Sequence, residues 1–327
     1  MYHIRLKNTH YDAGFHYGQM LKKHGQMICE KPTFQITKEK QLFVEKCIPI
    51  YQKYYPEILD EIKGIADGQQ SSYEDLLIFL LSMYCFEVNL HCTCLACVDQ
   101  QNILLGRNSD FLVSLEKLCM NCLYALDDCL SFCGNTTAFV EIEDGMNEKG
   151  LAMGMTFVYP SIKKPGFNAG FLVRYCLEKC QSVKECLKFI KTVPIASYQT
   201  LTFVDASGHI AVVECCPHHV EITEAFDSSF LVATNHFEKI PHHPHIDDWY
   251  SHQRYQNAYH ALNQNKNISL SLIQDILSGK YGFMCQYDRK IGADTIWSVV
   301  YDVKNQNIYR VEGNPSRKKF KKDLRWR

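Results

Sequence analysis

Four times after residue 91 the chain runs through a short apolar segment, a cluster of turn-forming residues and a second apolar segment. Cys92 to Val98 and Ile103 to Leu105 flank Asp99 to Asn102, and Phe139 to Ile142 and Leu151 to Val158 flank Asp144-Gly145. Leu201 to Val204 and Ile210 to Glu214 flank Asp205 to Gly208, and Thr295 to Asp302 and Ile308 to Val311 flank Lys304 to Asn307. Connections this short join antiparallel neighbours, because a parallel crossover needs roughly a dozen residues or more. Helical patterns fall in blocks around these hairpins. The fold class expected is therefore α+β with antiparallel sheets, and a doubly wound parallel sheet is disfavoured.

The first ninety residues read as helical. Phe43, Cys47, Ile50, Tyr51 and Tyr54 recur at helical spacing, and Pro56 opens a second helix carrying Ile58, Leu59, Ile62, Ile65 and Ala66. Gly68 suits the stop of that helix, and Ser71 with Glu74 forms a capping-box pattern ahead of the apolar run Leu76 to Phe86. Helices are also expected over Gly170 to Lys191, Ser251 to Leu262 and Ser269 to Leu277. The change of pattern puts a boundary at residue 91. Leu76 to Phe86 is about half of what a bilayer crossing needs, and the opening MYHIRLKNTHYD lacks the apolar core of a secretion signal. With 35 basic and 36 acidic residues, the formal charge of −1 sets up no global field for nucleic acid or an anionic membrane. These features suggest a soluble cytoplasmic protein whose 16 cysteines stay reduced. Neither nucleic acid nor membrane is expected as a partner, and self-association stays open. The tail from Arg317 to Arg327, with seven Lys/Arg and one Asp, reads as a solvated end.

Three clusters could carry chemistry. Cys92, Cys94 and Cys97 resemble a thiolate ligand set, but on a strand the first two face one side and the third the other, so one ion could not collect all three. His242, His243 and His245, followed by Asp247 and Asp248, sit among Pro241 and Pro244 and read as a surface loop. Cys215-Cys216 ends a strand, where free cysteine behaves as a small hydrophobe. No metal or cofactor is expected. The Cys92 region is more specific, because Arg107, Asn108 and Asp110 end the neighbouring strand pattern and a hairpin would bring them to the edge of the sheet that holds Cys92. A structural ion pair would look the same at this level.

The segment His91-Cys92-Thr93-Cys94-Leu95-Ala96-Cys97, with Leu105-Gly106-Arg107-Asn108-Ser109-Asp110 after it, resembles the nucleophile segment of the cysteine N-terminal nucleophile (Ntn) hydrolases. Two branches share it, the acyl-coenzyme A:6-aminopenicillanic acid acyltransferases and choloylglycine hydrolase with the penicillin V amidases. Asp12 to Gly18, Glu61 to Gly68, Gly145 to Ala152, Ala233 to Phe237 and Thr295 to Asp302 are similar to the acyltransferase branch. The resemblance implies a four-layer αββα sandwich, with residues 1–91 as a helical pro-region and 92–327 as the catalytic domain. It makes Cys92 the nucleophile, has Arg107 and Asp110 orient its thiol and amine, and has Asn235 donate to the oxyanion. Thr156, by its main chain, and Asn108 are the implied substrate contacts. Arg254, in Ser251-His252-Gln253-Arg254-Tyr255, resembles the second catalytic arginine, with Arg289 as the competing choice. His91 departs from the glycine or initiator methionine usual before the nucleophile.

The implied activity is opening of linear, non-peptide amide bonds in N-acyl compounds through a Cys92 thioester, with water or an amine taking the acyl group. A thiol of pKa about 8.5 needs a base, and no partner histidine is required if the bond before Cys92 breaks. The freed α-amine, with a reference pKa of about 7.7 to 8.0, can take and return the proton. The alternative is a catalytically inactive Ntn scaffold with a metal-binding, thiol-binding or interaction role.

Overall fold

The computed structural model describes residues 1–30, 35–86, 91–226, 229–242, 249–265 and 267–326. In chain order, β1 (Tyr2–Asn8) leads into α1 (His10–Lys23), α2 (Lys38–Tyr54), α3 (Pro56–Gln69) and α4 (Tyr73–Ser82), and then β2 (His91–Val98) and β3 (Ile103–Leu112) form a hairpin. β4 (Met120–Leu126), β5 (Phe132–Thr136), β6 (Asp144–Asn147) and β7 (Ala152–Phe157) follow, then α5 (Ala169–Lys179) and α6 (Val183–Ile190). The remainder is β8 (Gln199–Val204), β9 (Ile210–Cys216), β10 (His219–Ala225), β11 (Ser229–Ala233), α7 (Ser251–Gln264), α8 (Leu270–Leu277), β12 (Ala293–Asp302), β13 (Asn307–Val311) and β14 (Lys321–Lys322).

One sheet has eight strands in the order β1-β4-β5-β6-β7-β8-β9-β10, and the other six in the order β11-β2-β3-β12-β13-β14. Every pairing is antiparallel except that of β1 with β4. β2 packs across β7 and β8, which sets the sheets face to face, while α5 covers β6 and β7 from outside and α7 and α8 cover the six-stranded sheet. The architecture is the αββα sandwich. Alternation along β2 decides what each side chain meets: Cys92, Cys94 and Ala96 enter the core between the sheets. Leu95 and Cys97 join Leu104, Ala258, Ile273 and Leu277 beneath α7 and α8. The thiols of β2 are thus divided between two faces, as the strand period requires.

The segment before Cys92 is woven into these layers. Contrary to the all-helical reading it opens with β1, which aligns Tyr2 with Met120 and Asn8 with Leu126. Tyr51 of α2 stacks on Phe167 at 4.5 Å and meets Phe171 of α5 edge-on at 5.5 Å. α1 and α3 approach so closely that a Cβ on Gly14 would lie 2.0 Å from the Glu61 carbonyl oxygen, and one on Gly64 2.2 Å from that of Tyr11. Gly68 serves the same contact rather than ending α3, which closes one residue later with Gln70 in the left-handed region at φ 58°. The cap of α4 is Ser72, whose hydroxyl accepts from the Asp75 N–H, not Ser71.

Other boundaries differ for local reasons. Asp144-Gly145 is not a turn but the start of β6, and Phe139 to Ile142 supplies only an isolated Ala138–Glu141 bridge. The reversal falls instead at Gly150, φ 78°, where the Asn147 side-chain oxygen accepts from the Lys149 and Leu151 amides. The long helix expected over Gly170 to Lys191 breaks between α5 and α6, where Ser182 caps the second. The basic tail is not simply solvated: β14 pairs with β13, Arg325 binds Asp323, and Trp326 is buried.

Candidate active site

The β2–β3 hairpin aligns His91 with Asp110, Cys92 with Ser109 and Cys94 with Arg107. Arg107 therefore lies one pleat from Cys92 on the same face, and its Nη2 donates to the Cys92 sulfur at 2.8 Å. Its other donors fix the guanidinium, Nε to the Met155 carbonyl at 2.9 Å and Nη1 to Asp144 at 2.7 Å. From the opposite side of the sheet, α7 delivers Arg254, whose Nη1 donates to the Cys92 carbonyl at 2.6 Å and to Thr93 Oγ1 at 2.8 Å. Arg254 Nη2 donates to Asn235 Oδ1 at 2.6 Å, and the Cys92 amide donates to the same oxygen at 3.0 Å. Asn235 Nδ2 donates to the Phe157 carbonyl at 2.8 Å. That nitrogen carries two protons, so one donor remains for an oxyanion.

Asp110 completes the α7 side, 3.8 Å from Arg254 Nη1. It accepts from Thr295 Oγ1 at 2.5 Å and from the Tyr287 hydroxyl at 3.1 Å. Burial pushes its carboxyl up to about 6, against the pull of Arg254, Thr295 and Tyr287. Burial also pushes the Cys92 thiol up to about 12, although Arg107 pulls the other way. Burial thus favours the protonated thiol in the intact chain. The His91 ring stacks on Trp249 at 4.4 Å, and burial lowers its pKa to about 2.

The Asp110 shift has a measurable consequence. Its folded pKa lies above the unfolded value of about 3.9, so the stability it contributes is complete below that value and lost as pH rises through about 6. In urea unfolding at pH 4.5 and 6.5, Asp110→Asn is expected to remove that component of the pH slope. An unchanged slope would mean that the carboxyl titrates normally.

Cys92, Arg107, Asp110, Asn235 and Arg254 thus converge. Thr156 lies between the two β7 residues whose carbonyls hold Arg107 and Asn235, and its own hydroxyl bonds that of Thr200. Asn108 does not join the group: on the face of β3 that it shares with Asp110, its side chain donates to the Leu277 carbonyl at 2.9 Å. Arg289 is half-exposed and pairs with Glu116 and Asp294. His242 donates to the Tyr159 carbonyl at 2.7 Å, while His243, His245, Asp247 and Asp248 lie outside the described residues.

Sequence reasoning missed the acids behind Arg107. Asp144 accepts from Arg107, from Trp297 Nε1 at 2.9 Å and from the Tyr301 hydroxyl at 2.6 Å. Glu143 accepts from Arg107 at 3.3 Å and from the Thr137 amide at 2.9 Å. The available signal was Glu141-Ile142-Glu143-Asp144, an acidic run among apolar segments, of which Glu141-Ile142 reads as the end of a strand and Asp144 as the start of a turn.

Residues 98–317 match the acyl-coenzyme A:6-aminopenicillanic acid acyl-transferase family. A search of curated proteins finds no match. Among solved structures, the chain is similar to an N-acylethanolamine-hydrolyzing acid amidase ortholog of Caenorhabditis elegans, at 14% identity over 65% of this chain and 93% of the other, TM-score 0.49. It is also similar to penicillin V acylase from Agrobacterium tumefaciens, at 16% identity over 68% and 82%, TM-score 0.46. A third is a mutant conjugated bile acid hydrolase from Clostridium perfringens, at 15% identity over 68% and 89%, TM-score 0.48.

Proposed function

The chain belongs to the acyl-coenzyme A:6-aminopenicillanic acid acyl-transferase family of cysteine Ntn enzymes, and from that membership we propose that it opens linear amide bonds of N-acyl compounds through a thioester on Cys92. The observation that carries the reading is the double clamp on this residue, with Arg107 on the sulfur and Arg254 and Asn235 on the main chain. A structural cysteine would need neither.

On this reading, the Cys92 thiol attacks the His91 carbonyl, its proton passes to the departing amide nitrogen as the C–N bond breaks, and hydrolysis of the resulting thioester leaves the Cys92 α-amine free. That amine, already next to Asn235 Oδ1, then takes the thiol proton. The thiolate adds to the substrate carbonyl beside Arg107, and the second Asn235 Nδ2 proton faces the developing oxyanion. The amine returns its proton to the leaving nitrogen, and water or an acceptor amine releases the acyl group. Arg254 and Asp110 hold Asn235 and the main chain in register. Residues 1–91 are the pro-region of this scheme, retained by their packing after the bond is cut.

Asn235→Ala is expected to lower kcat by roughly 10²- to 10³-fold with a smaller change in KM, as removal of one oxyanion donor does elsewhere. The assay is hydrolysis of a chromogenic N-acyl amide by the processed enzyme, with intact mass confirming that processing occurred. A change confined to KM would place Asn235 in ground-state binding instead. No described helix is long and apolar enough to cross a membrane.

A further inference from the structure

Away from the site, three more thiols meet. The sulfurs of Cys176, Cys180 and Cys186 all lie within 4.8 Å of one another. Cys176 and Cys180 are one helical turn apart, the first in α5 and the second its C-terminal cap, while Cys186 is on α6. Cys176 and Cys186 are fully enclosed, and Cys180 is 4% exposed, which leaves it as the approach from solvent.

The turn that sets this geometry is fixed from both ends. Asn147 Nδ2 donates to the Cys180 carbonyl at 2.8 Å and to that of Leu177 at 3.0 Å, and the Ser182 hydroxyl accepts from the Glu185 amide at 3.4 Å. Among the described residues, no histidine or carboxylate ligand atom joins the group.

We propose that Cys176, Cys180 and Cys186 form a binding site for one soft monovalent ion, Cu(I), held by three sulfurs. Thiolates select soft ions, and three donors with no fourth suit Cu(I) better than Zn(II), whose structural sites take four. The three thiols lose their protons as the ion binds, so loading releases up to three protons and no electron is transferred. The site is independent of the Cys92 chemistry.

The test is anaerobic titration of reduced full-length protein with Cu(I) in competition with bicinchoninate, comparing wild type with Cys180→Ser and Cys186→Ser. Wild type is expected to retain one more equivalent of copper than either variant. X-ray absorption on the wild-type complex, which does not depend on either variant folding, should show three sulfur neighbours. The assignment is overturned if the variants hold as much copper as wild type, or if the ion has two sulfurs. Loss of stoichiometric Zn(II) in these variants, with copper binding unchanged, would overturn the choice of ion.

Discussion

Cys92→Ala should yield one intact chain by mass spectrometry and no turnover of N-acyl amides above background, a fall of at least about 10⁴-fold. The expectation follows from how the site is built. Arg107 Nη2 donates to the Cys92 sulfur and to Glu143, while Nη1 goes to Asp144 and Nε to the Met155 carbonyl. Among the described residues, no other thiol accepts a hydrogen bond from Arg107, and Cys94, the next inward-facing residue of β2, lies beside Gly154. One substitution should therefore remove scission and catalysis together, while urea unfolding stays cooperative. If wild type itself proves to be a single chain without turnover, the inactive-scaffold reading takes over. If Cys92→Ala is still cut between residues 91 and 92, the sulfur is not the nucleophile for processing.

The second large effect concerns stability. Arg174 is fully buried in α5, with Nη2 donating to Glu61 at 2.7 Å, Nε to Glu178 at 2.5 Å and Nη1 to the Val140 carbonyl at 3.1 Å. Its guanidinium also lies 3.7 Å from the centre of the Tyr124 ring. His10 and Tyr55 contribute further donors to Glu178, and Tyr124 donates to Glu61. Arg174→Met would leave two carboxylates buried without their cation, a loss of about 3–5 kcal/mol. That is a large part of the roughly 5–15 kcal/mol that holds a domain folded.

Acid should reveal the same network. Burial alone would raise the Glu178 carboxyl, but Arg174, His10 and Tyr55 overcome it and hold the group down to about 2. A depressed carboxylate contributes stability that is present above its unfolded pKa of about 4.3 and lost as pH falls towards 2. Arg174→Met removes the strongest pull on that group, so the variant, already less stable at neutral pH, should lose less stability than wild type between pH about 4.3 and about 2 in acid unfolding. Because Glu61, His10 and Tyr55 precede Cys92 whereas Arg174 and Glu178 follow it, a cleaved wild-type protein should elute as one species in size exclusion. The cleaved variant should separate into two fragments. Unchanged stability in Arg174→Met would mean that the network adds nothing net.

The antiparallel class and the two-faced β2 were legible because strand period and short turns are local properties, readable without knowing the partner. Cys92, Arg107 and Asp110 were legible for the same reason, since one hairpin brings them together. Asn108 shares its face of β3 with Asp110, and what draws its side chain away is the Leu277 carbonyl of α8, a partner that position in sequence does not reveal. Asp144 was hidden because Asp-Gly carries a strong turn signal, and what overrides it is a tertiary cation, Arg107, donated by a strand of the other sheet. β1 escaped notice because only Ile4 and Leu6 of that strand are buried, leaving too weak an alternation to distinguish it from a helix lead-in. Gly68 looked like a stop because a glycine's role in letting two backbones touch depends on the partner helix.

The parallel pairing of Tyr2–Asn8 with Met120–Leu126 bears on how the enzyme can be made in the laboratory. A recombinant chain begun at Cys92, to obtain that residue with its amine already free, would strip this ribbon away and leave a row of unpaired amides and carbonyls along Met120–Leu126. Such a border recruits strands from other molecules and favours insoluble aggregates. Supplying residues 1–91 in the same cell as a second polypeptide would keep that border covered.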